Sequence, residues 1–426
     1  MTSPPLTALS ERIARAVDQA RERTISLHQG FVRARSVTGD EGPMSAQAAQ
    51  AFRERGLEVD AWAATATEMR PYLEHVGEQS GYEGRLNVVG LQRGKGAGRS
   101  ILLNAHIDTV PEGDHKLWTQ PPYLANLAHG RVYGRGSCDM KGGLTTHLAA
   151  LDALRDAGID LAGDVTVAAT VGEEDGGLGA LSTVLRGYRA DAALVTEPTR
   201  LALVTACEGS LVFRLTITGR SAHAATRDEG VSALEKFVPL FNDLMAFERE
   251  RNAALRHPLY DMFPNKVPIN VGVVRAGNWA STVPEILEAE IRVGFLPGEE
   301  LEPFKRLVSQ RIMAAAQRDP WLRLHPPVLT FFGGQFIAAE TPSDAPICGA
   351  IRAAHRRVTG TDAATQAATY GADMRHFIVF GGMPCVMYGA GDIRLAHAPD
   401  EYLEVDQLLT AVKVVAGVLV EWCGVA

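Results

Sequence analysis

Ser100-Ile101-Leu102-Leu103-Asn104-Ala105-His106-Ile107-Asp108 is the stretch from which the fold is read. Residues 100–107 form one continuous apolar run, which predicts a strand in a sheet covered on both faces. The run ends in His106 and Asp108. Two residues of spacing on a strand put both side chains on one face, at the edge where open α/β sheets bind ligands. There His106 can bind a metal while Asp108 holds or neutralises the site.

Outward from that strand the chain alternates. Residues 141–157 predict a helix, 165–171 a strand, 179–186 a helix and 192–196 a strand, the β-α-β rhythm of a covered sheet. At 211–217 the pattern becomes apolar-polar alternation. A long helix over about 228–251 follows, then strands over 269–274 and 285–295 and a helix over 299–317, which read as a separate α+β block. After His325-Pro326-Pro327 the first rhythm returns, with helices over 344–358 and 374–380 and a strand over 385–388. The expected fold is α/β with two domains, one assembled from residues 1–208 and 327–426 and the other inserted over 209–326. Upstream, residues 1–23 carry Glu11, Arg12, Arg15, Asp18, Arg21, Glu22 and Arg23 among apolar residues at helical spacing, an amphipathic helix and no signal peptide. Gly90-Leu91-Gln92-Arg93-Gly94-Lys95-Gly96-Ala97-Gly98 looks like a phosphate loop, but no Ser or Thr follows Lys95 and a strand comes next, so a hairpin turn is expected.

Composition limits the function classes. A chain of 426 residues exceeds what one hydrophobic core normally holds, and 46% hydrophobic residues are ample for two. The cysteines Cys138, Cys207, Cys348, Cys385 and Cys423 form no C-x-x-C pair, so neither a thiolate zinc site nor a disulfide framework is indicated, and a reducing cytoplasm is the expected location. Cys138 has no histidine base beside it and reads as a small buried thiol. A net charge of −8 without a long basic run argues against nucleic acid as a partner. No segment reaches the roughly 20 apolar residues of a membrane span.

Chemistry concentrates where the elements end. Gly134-Arg135-Gly136-Ser137-Cys138-Asp139-Met140-Lys141-Gly142-Gly143 sets Asp139 on a tight loop entering a helix, where a carboxylate can bridge two ions. The strand over 165–171 ends in Gly172-Glu173-Glu174-Asp175. Adjacent acids point in different directions, so one can coordinate metal while the other faces water as general base. Thr196-Glu197-Pro198-Thr199 offers another acid at a strand end, and Ala396-His397-Ala398-Pro399-Asp400-Glu401 brings the last imidazole. Imidazole and carboxylate suit zinc, and two ions about 3.5 to 4 Å apart can share a carboxylate and one water. His115, His129 and His147 lie outside these motifs and read as structural or solvated.

Taken in order, the motifs resemble the dinuclear zinc family of acetylornithine deacetylase, succinyl-diaminopimelate desuccinylase, aminoacylase and the glutamate-releasing carboxypeptidases, over nearly the whole chain. The resemblance implies an α/β/α catalytic domain with a mixed sheet, an inserted α+β lid and dimerisation domain, a homodimer, and two zinc ions for which cobalt or manganese can substitute. It implies that His106, Asp139 and Glu197 hold one ion and Asp139, Glu174 and His397 the other, with Glu173 the base and Asp108 orienting His106. It also implies a cis peptide at Asp139-Met140. Gly219-Arg220-Ser221-Ala222-His223-Ala224-Ala225 matches the segment whose histidine crosses to the partner subunit's site, so His223 is expected to stabilise the oxyanion there. Two positions depart from the pattern. Ser281 stands where relatives carry asparagine three residues before Pro284, and Gly294 where many carry arginine three residues before Pro297. Both positions usually help hold a substrate carboxylate, so Ser281 is a candidate substrate contact. Arg375, in Tyr370-Gly371-Ala372-Asp373-Met374-Arg375, is another: it can bind an anionic substrate end bidentately, or pair with Asp373 at a helix start.

The implied activity is hydrolysis of the amide bond of a small N-acyl amino acid or related N-acyl amine, of deacetylase, desuccinylase or deformylase type. In the resemblance Glu at position 197 is typical of deacylases and Asp of peptidases, which ranks a deacylase above a dipeptidase or carboxypeptidase. Ser281 and Gly294 leave room for a neutral or heteroaromatic amine with an N-formyl or N-acetyl group, as in relatives that deformylate an aminopyrimidine. A metal-stabilised binding protein that had lost the chemistry would not need Glu173 beside the water.

Overall fold

The computed structural model describes residues 5–79 and 81–426. Its strands are β1 (Glu58–Ala63), β2 (Leu86–Gln92), β3 (Ile101–His106), β4 (Asn126–Ala128), β5 (Arg131–Tyr133), β6 (Val165–Thr170), β7 (Ala193–Val195) and β8 (Leu203–Cys207), then β9 (Gly209–Thr218), β10 (Ile269–Ala276), β11 (Ile286–Phe295), β12 (Val328–Phe331), β13 (Ala339–Glu340), β14 (Thr365–Ala368), β15 (Cys385–Met387) and β16 (Tyr402–Glu404). Nine of them form a mixed sheet in the order β1-β2-β6-β3-β7-β15-β8-β13, with β14 also paired to β8. β3 lies inside this sheet, parallel to β6 on one side and to β7 on the other. All of its residues are buried, as its unbroken apolar run requires. β15 runs parallel to β7. Four adjacent parallel strands therefore end at one edge, and the loops that follow them are brought together there.

Helices cover both faces, giving an α/β/α catalytic domain. Leu6–Gln19, Gly142–Asp156, Pro346–Thr359 and Val405–Cys423 pack against one another in one layer, while Leu178–Leu185 and Met374–Val379 pack together in the other. The inserted α+β domain is built on a second sheet, β10-β11-β9-β12, antiparallel throughout. Alternation along β9 buries Leu211, Phe213, Leu215 and Ile217 with the helices Ala233–Ala254 and Leu301–Ala316. β12 extends this sheet past His325-Pro326-Pro327, because Val328–Phe331 pairs with β9.

Three local expectations are corrected. The glycine-rich segment after β2 is not a hairpin turn: β6 lies between β2 and β3 and pairs with both. Its glycines instead allow close passage over residues 162–163, since a Cβ on Gly94 would come within 2.2 Å of the Ala162 carbonyl oxygen. The N-terminal helix breaks at Ala20 into Leu6–Gln19 and Arg21–Arg33, the first packed on Val405–Cys423 and the second reaching the Asp139 segment; residues 1–4 of the expected helix lie outside the described residues. The long helix of the insertion begins at Ala233, because Gly230 is extended and Ser232 caps the helix by accepting the Glu235 N–H. No helix among the described residues is long and apolar enough to cross a membrane.

Candidate metal centre

Each singled-out ligand sits at or near the end of a structured element. His106 is the last residue of β3, Glu173 and Glu174 follow β6, Glu197 follows β7, and His397 lies on the loop beyond β15. Asp139 enters from the turn Ser137–Lys141 ahead of the helix Gly142–Asp156. Gly136 opens that turn at φ 79°, a left-handed conformation that glycine adopts without a Cβ clash. The Asp139-Met140 peptide is cis, as the resemblance implies.

Asp139 is the centre of the cluster. Its Oδ1 is 3.0 Å from His106 Nε2 and its Oδ2 is 3.6 Å from His397 Nε2. On the first side Glu197 Oε1 lies 3.9 Å from His106 Nε2; on the second, Glu174 Oε2 lies 3.1 Å from His397 Nε2. One carboxylate thus turns its two oxygens on two separate imidazoles, each accompanied by a further acid. His106 Nδ1 donates to the carbonyl oxygen of Asp108 at 3.0 Å, and because a carbonyl only accepts, Nδ1 carries a proton, which leaves Nε2, turned toward Asp139 and Glu197, as the nitrogen available to a metal. Acceptors converging in this way are satisfied by a cation, and two imidazoles with three carboxylates fit a divalent metal pair. Ligand atoms of His106, Asp139 and Glu174 all lie within 4.8 Å of one another.

Electrostatics agree with that donor set. Burial, reinforced by neighbouring acids and opposed by His106, pushes the Glu173 and Glu197 carboxyls well above the ordinary range. Burial raises Glu174 too, against the hydrogen bond from His397, and that bond raises His397. Close-packed buried carboxylates repel one another, and bound cations would remove the repulsion.

Two further acids hold the loops. The Asp108 carboxylate is 3.6 Å from His106 Nδ1, but it accepts the backbone N–H of Glu173 at 3.1 Å, that of Glu174 at 3.2 Å and the Thr38 hydroxyl at 3.0 Å. Its carbonyl therefore orients His106 while its carboxylate fixes the acid pair. Burial pushes the Asp108 carboxyl upward, but His106 and those amides outweigh burial and leave it below the usual value. Glu401, to which the sequence reading gives no role, is buried and accepts the N–H groups of Gly136, Cys138 and Asp139 at 3.0, 2.9 and 3.1 Å, with Arg135 Nη1 at 2.8 Å. It ties the His397 loop to the Asp139 turn. His397 itself holds φ 62°, an uncommon backbone for a non-glycine residue.

The cluster opens into a cavity of about 380 Å³, with Asp139, Glu173, Glu174, Glu197 and His397 on one side and Ser210, Arg292, Phe336 and Tyr370 also in its walls. The remaining sequence candidates are not on those walls. His223 and Ser281 are exposed on the insertion and lie side by side, the Ala224 N–H donating to the Ser281 carbonyl. Arg375 is buried behind Phe336, its guanidinium 3.9 Å from the ring, and it donates to the Gly176 carbonyl at 2.6 Å instead of pairing with Asp373 or facing the cavity. Arg292 and Phe336 escape the sequence reading because no local motif surrounds them; alternation along β11 marks Arg292 only as a polar-face residue.

Solved structures share the whole fold. Human carnosine dipeptidase 1 matches with a TM-score of 0.74 at 15% identity, covering 99% of this chain and 100% of that one. A tripeptidase from Staphylococcus aureus matches with a TM-score of 0.73 at 20% identity, covering 94% and 97%. Among sequences, the N-formyl-4-amino-5-aminomethyl-2-methylpyrimidine deformylase of Halalkalibacterium halodurans is 27% identical over 444 residues, 98% of each chain. The acetylornithine deacetylase of Myxococcus xanthus is 29% identical over 366 residues, 85% of this chain and 89% of that one. Residues 102–421, which include every candidate metal ligand, match the description of peptidase family M20/M25/M40, and the chain belongs to that family.

Proposed function

We propose that this protein hydrolyses the amide bond of an N-acyl amino acid or a related N-acyl amine with the help of two divalent metal ions, zinc by preference and cobalt or manganese in substitution. His106, Asp139 and Glu197 would hold one ion, and Asp139, Glu174 and His397 the other. The observation that carries this reading is the Asp139 carboxylate, one oxygen 3.0 Å from His106 and the other 3.6 Å from His397, with Glu173 beside it on the cavity wall. When bound, the ions supply Lewis acidity, polarising the scissile carbonyl and making water easier to deprotonate. Glu173 takes the proton from the attacking water and passes it to the leaving amine nitrogen. Asp108 keeps both acids in place through their amide N–H groups. Relatives named as a deformylase and a deacetylase favour an acyl amide over a peptide. The five cysteines are free and buried, which fits a cytoplasmic enzyme.

The inserted domain, expected over 209–326 and extended by β12 to Phe331, would serve as lid and dimerisation domain, with His223 of the partner subunit donating to the tetrahedral oxyanion. His223 Nδ1 accepts the Ala225 N–H at 3.1 Å, so the proton of the neutral ring is on Nε2, free to be donated. β10 is an edge strand with exposed Val274, the kind of element that pairs across a two-fold axis. The test is a panel of N-formyl, N-acetyl and N-succinyl amines beside dipeptides, offered to zinc-loaded protein. Amine release from acyl substrates is expected; a protein that cleaves no N-acyl amide would overturn the reading.

A further inference from the structure

Arg292 on β11 brings a guanidinium to the same cavity as the candidate metal ligands. Alternation along β11 sends Ile291 and Val293 into the core of the insertion and turns Arg292 and Gly294 to the opposite face. Gly294 is there to make room. A Cβ at that position would lie 1.7 Å from Oε1 of Glu208, the residue that joins β8 to β9. The Glu208 side chain is fully buried, and neither carboxyl oxygen has a hydrogen-bond partner among the described residues. Arg292 Nη1 approaches it at 3.9 Å. Burial pushes the Glu208 carboxyl up to about 8, against Arg292 and Arg251, so its hold on Arg292 is partial. Arg292 is a third exposed and lines the cavity, and its one long approach to Glu208 leaves N–H groups for a ligand.

We propose that Arg292 is the specificity-determining residue of this cavity: its guanidinium, steered by Glu208, receives a hydrogen-bond acceptor on the amine half of the substrate and excludes an amine half that ends in an ammonium group. This inference rests on the reading of the protein as an N-acyl amine hydrolase. A guanidinium offers five donors and no acceptor, so an ammonium finds repulsion and no partner, at short range and away from bulk water. A carboxylate or a ring nitrogen supplies what it lacks. The Phe336 and Tyr370 side chains in the cavity wall suit a flat amine half carrying that acceptor. Glu208 is a positioning residue, acting on substrate through Arg292.

The experiment uses three N-formyl amines of matched size, ending in a carboxylate, in a neutral aminopyrimidine ring and in an ammonium. Zinc-loaded wild type, Arg292→Ala, Arg292→Lys and Glu208→Gln proteins are assayed on each. Wild type is expected to prefer the acceptor-ended substrates over the ammonium-ended one in kcat/KM, and Arg292→Ala to shrink that ratio by roughly 100-fold, mainly through KM. Lysine is a point charge without the planar fork, so Arg292→Lys restores preference for a carboxylate and not for the ring, which tells the two acceptor sources apart. Above pH 8, where the Glu208 carboxyl is ionised, Glu208→Gln raises KM for the acceptor-ended substrate and spares kcat. Calorimetric binding of the same compounds to metal-loaded Glu173→Gln protein, with and without Arg292→Ala, reads the preference without turnover. Hydrolysis of none of the three by wild type would count against the hydrolase reading while binding still tests Arg292. An acceptor-to-ammonium ratio unchanged by Arg292→Ala, in turnover or in binding, overturns the inference.

Discussion

The edge of the nine-stranded sheet and the cleft side of the four-stranded sheet share one cavity and are built by opposite rules. At the edge His106, Asp139 and the acid pair are anchored: the Asp108 carbonyl holds His106, the Asp108 carboxylate holds the amides of Glu173 and Glu174, and Glu401 holds the amide of Asp139. On the inserted sheet the contacts are slack. Arg292 and Glu208 stand 3.9 Å apart with the carboxyl otherwise unpartnered among the described residues, and His223 is exposed outside the cavity of its own chain. In the proposed reading, groups that do the bond-breaking are preorganised, whereas groups that select substrate and complete the oxyanion site depend on ligand and partner.

The sharpest break would come from the acid pair. Glu173→Gln keeps the side-chain volume and removes the proton acceptor, so turnover should fall by about 1,000-fold or more while elemental analysis still finds two metal ions per chain. Glu174→Gln should lose metal as well as activity. A Glu173→Gln protein with near-normal turnover would show that the sheet edge is not where the proton moves.

Next in size is the test of the inserted side. His223→Ala should cost about 100- to 1,000-fold in kcat, the usual effect of removing one oxyanion donor. Mixing it with Glu173→Gln should regain activity, because a mixed dimer contains one site with both an intact base and an intact donor. Differently tagged chains must first be shown to exchange. Exchange without regained activity would leave His223 as the turn residue that caps Ala224–Glu229.

The same contrast governs what the sequence reveals. Ligands at the sheet edge are legible because each sits in a local signature, an apolar run or glycine-rich turn ending in an acid or histidine, and parallel β6, β3, β7 and β15 then bring those ends together. Strand order is not local: the glycines after β2 fit a hairpin and a passage over residues 162–163 equally well, and only pairing with β6 decides between them. Arg292 is hidden for a related reason, since alternation shows that it leaves the core of the insertion but not what it meets. Glu401 is hidden because three of its four donors are backbone amides, which leave no pattern in the side chains.

That last residue gives the next prediction. In Glu401→Gln one carboxylate oxygen becomes an NH₂ group, which cannot accept, so at least one of the donors from Arg135, Gly136, Cys138 and Asp139 loses its partner. The fold should survive, because the change keeps the side-chain volume, while metal affinity measured by competition with a chelator should fall about 10- to 100-fold. Unchanged affinity would mean that the Asp139 turn holds its shape without the His397 loop.

The smallest effect concerns the packing behind the edge. His147, on the helix Gly142–Asp156, is buried, with Nε2 3.0 Å from the Thr196 hydroxyl and Nδ1 unpartnered among the described residues. Burial pushes its pKa from 6.5 down to about 3. Between those values the unfolded chain binds a proton at this position that the folded chain does not. Acidification through that window therefore favours unfolding, by about 1.4 kcal/mol per pH unit from this residue alone, and above pH 6.5 the contribution is complete and flat. His147→Gln removes the titration while an amide can still reach Thr196, so its unfolding free energy should decline less steeply from pH 6.5 to pH 4.5 than that of wild type. The comparison is made on metal-free protein, where protons do not compete with ions for the ligands. Parallel pH curves for the two proteins would show that His147 is protonated inside the fold, and that the layer behind the sheet edge tolerates a charge that its burial argues against.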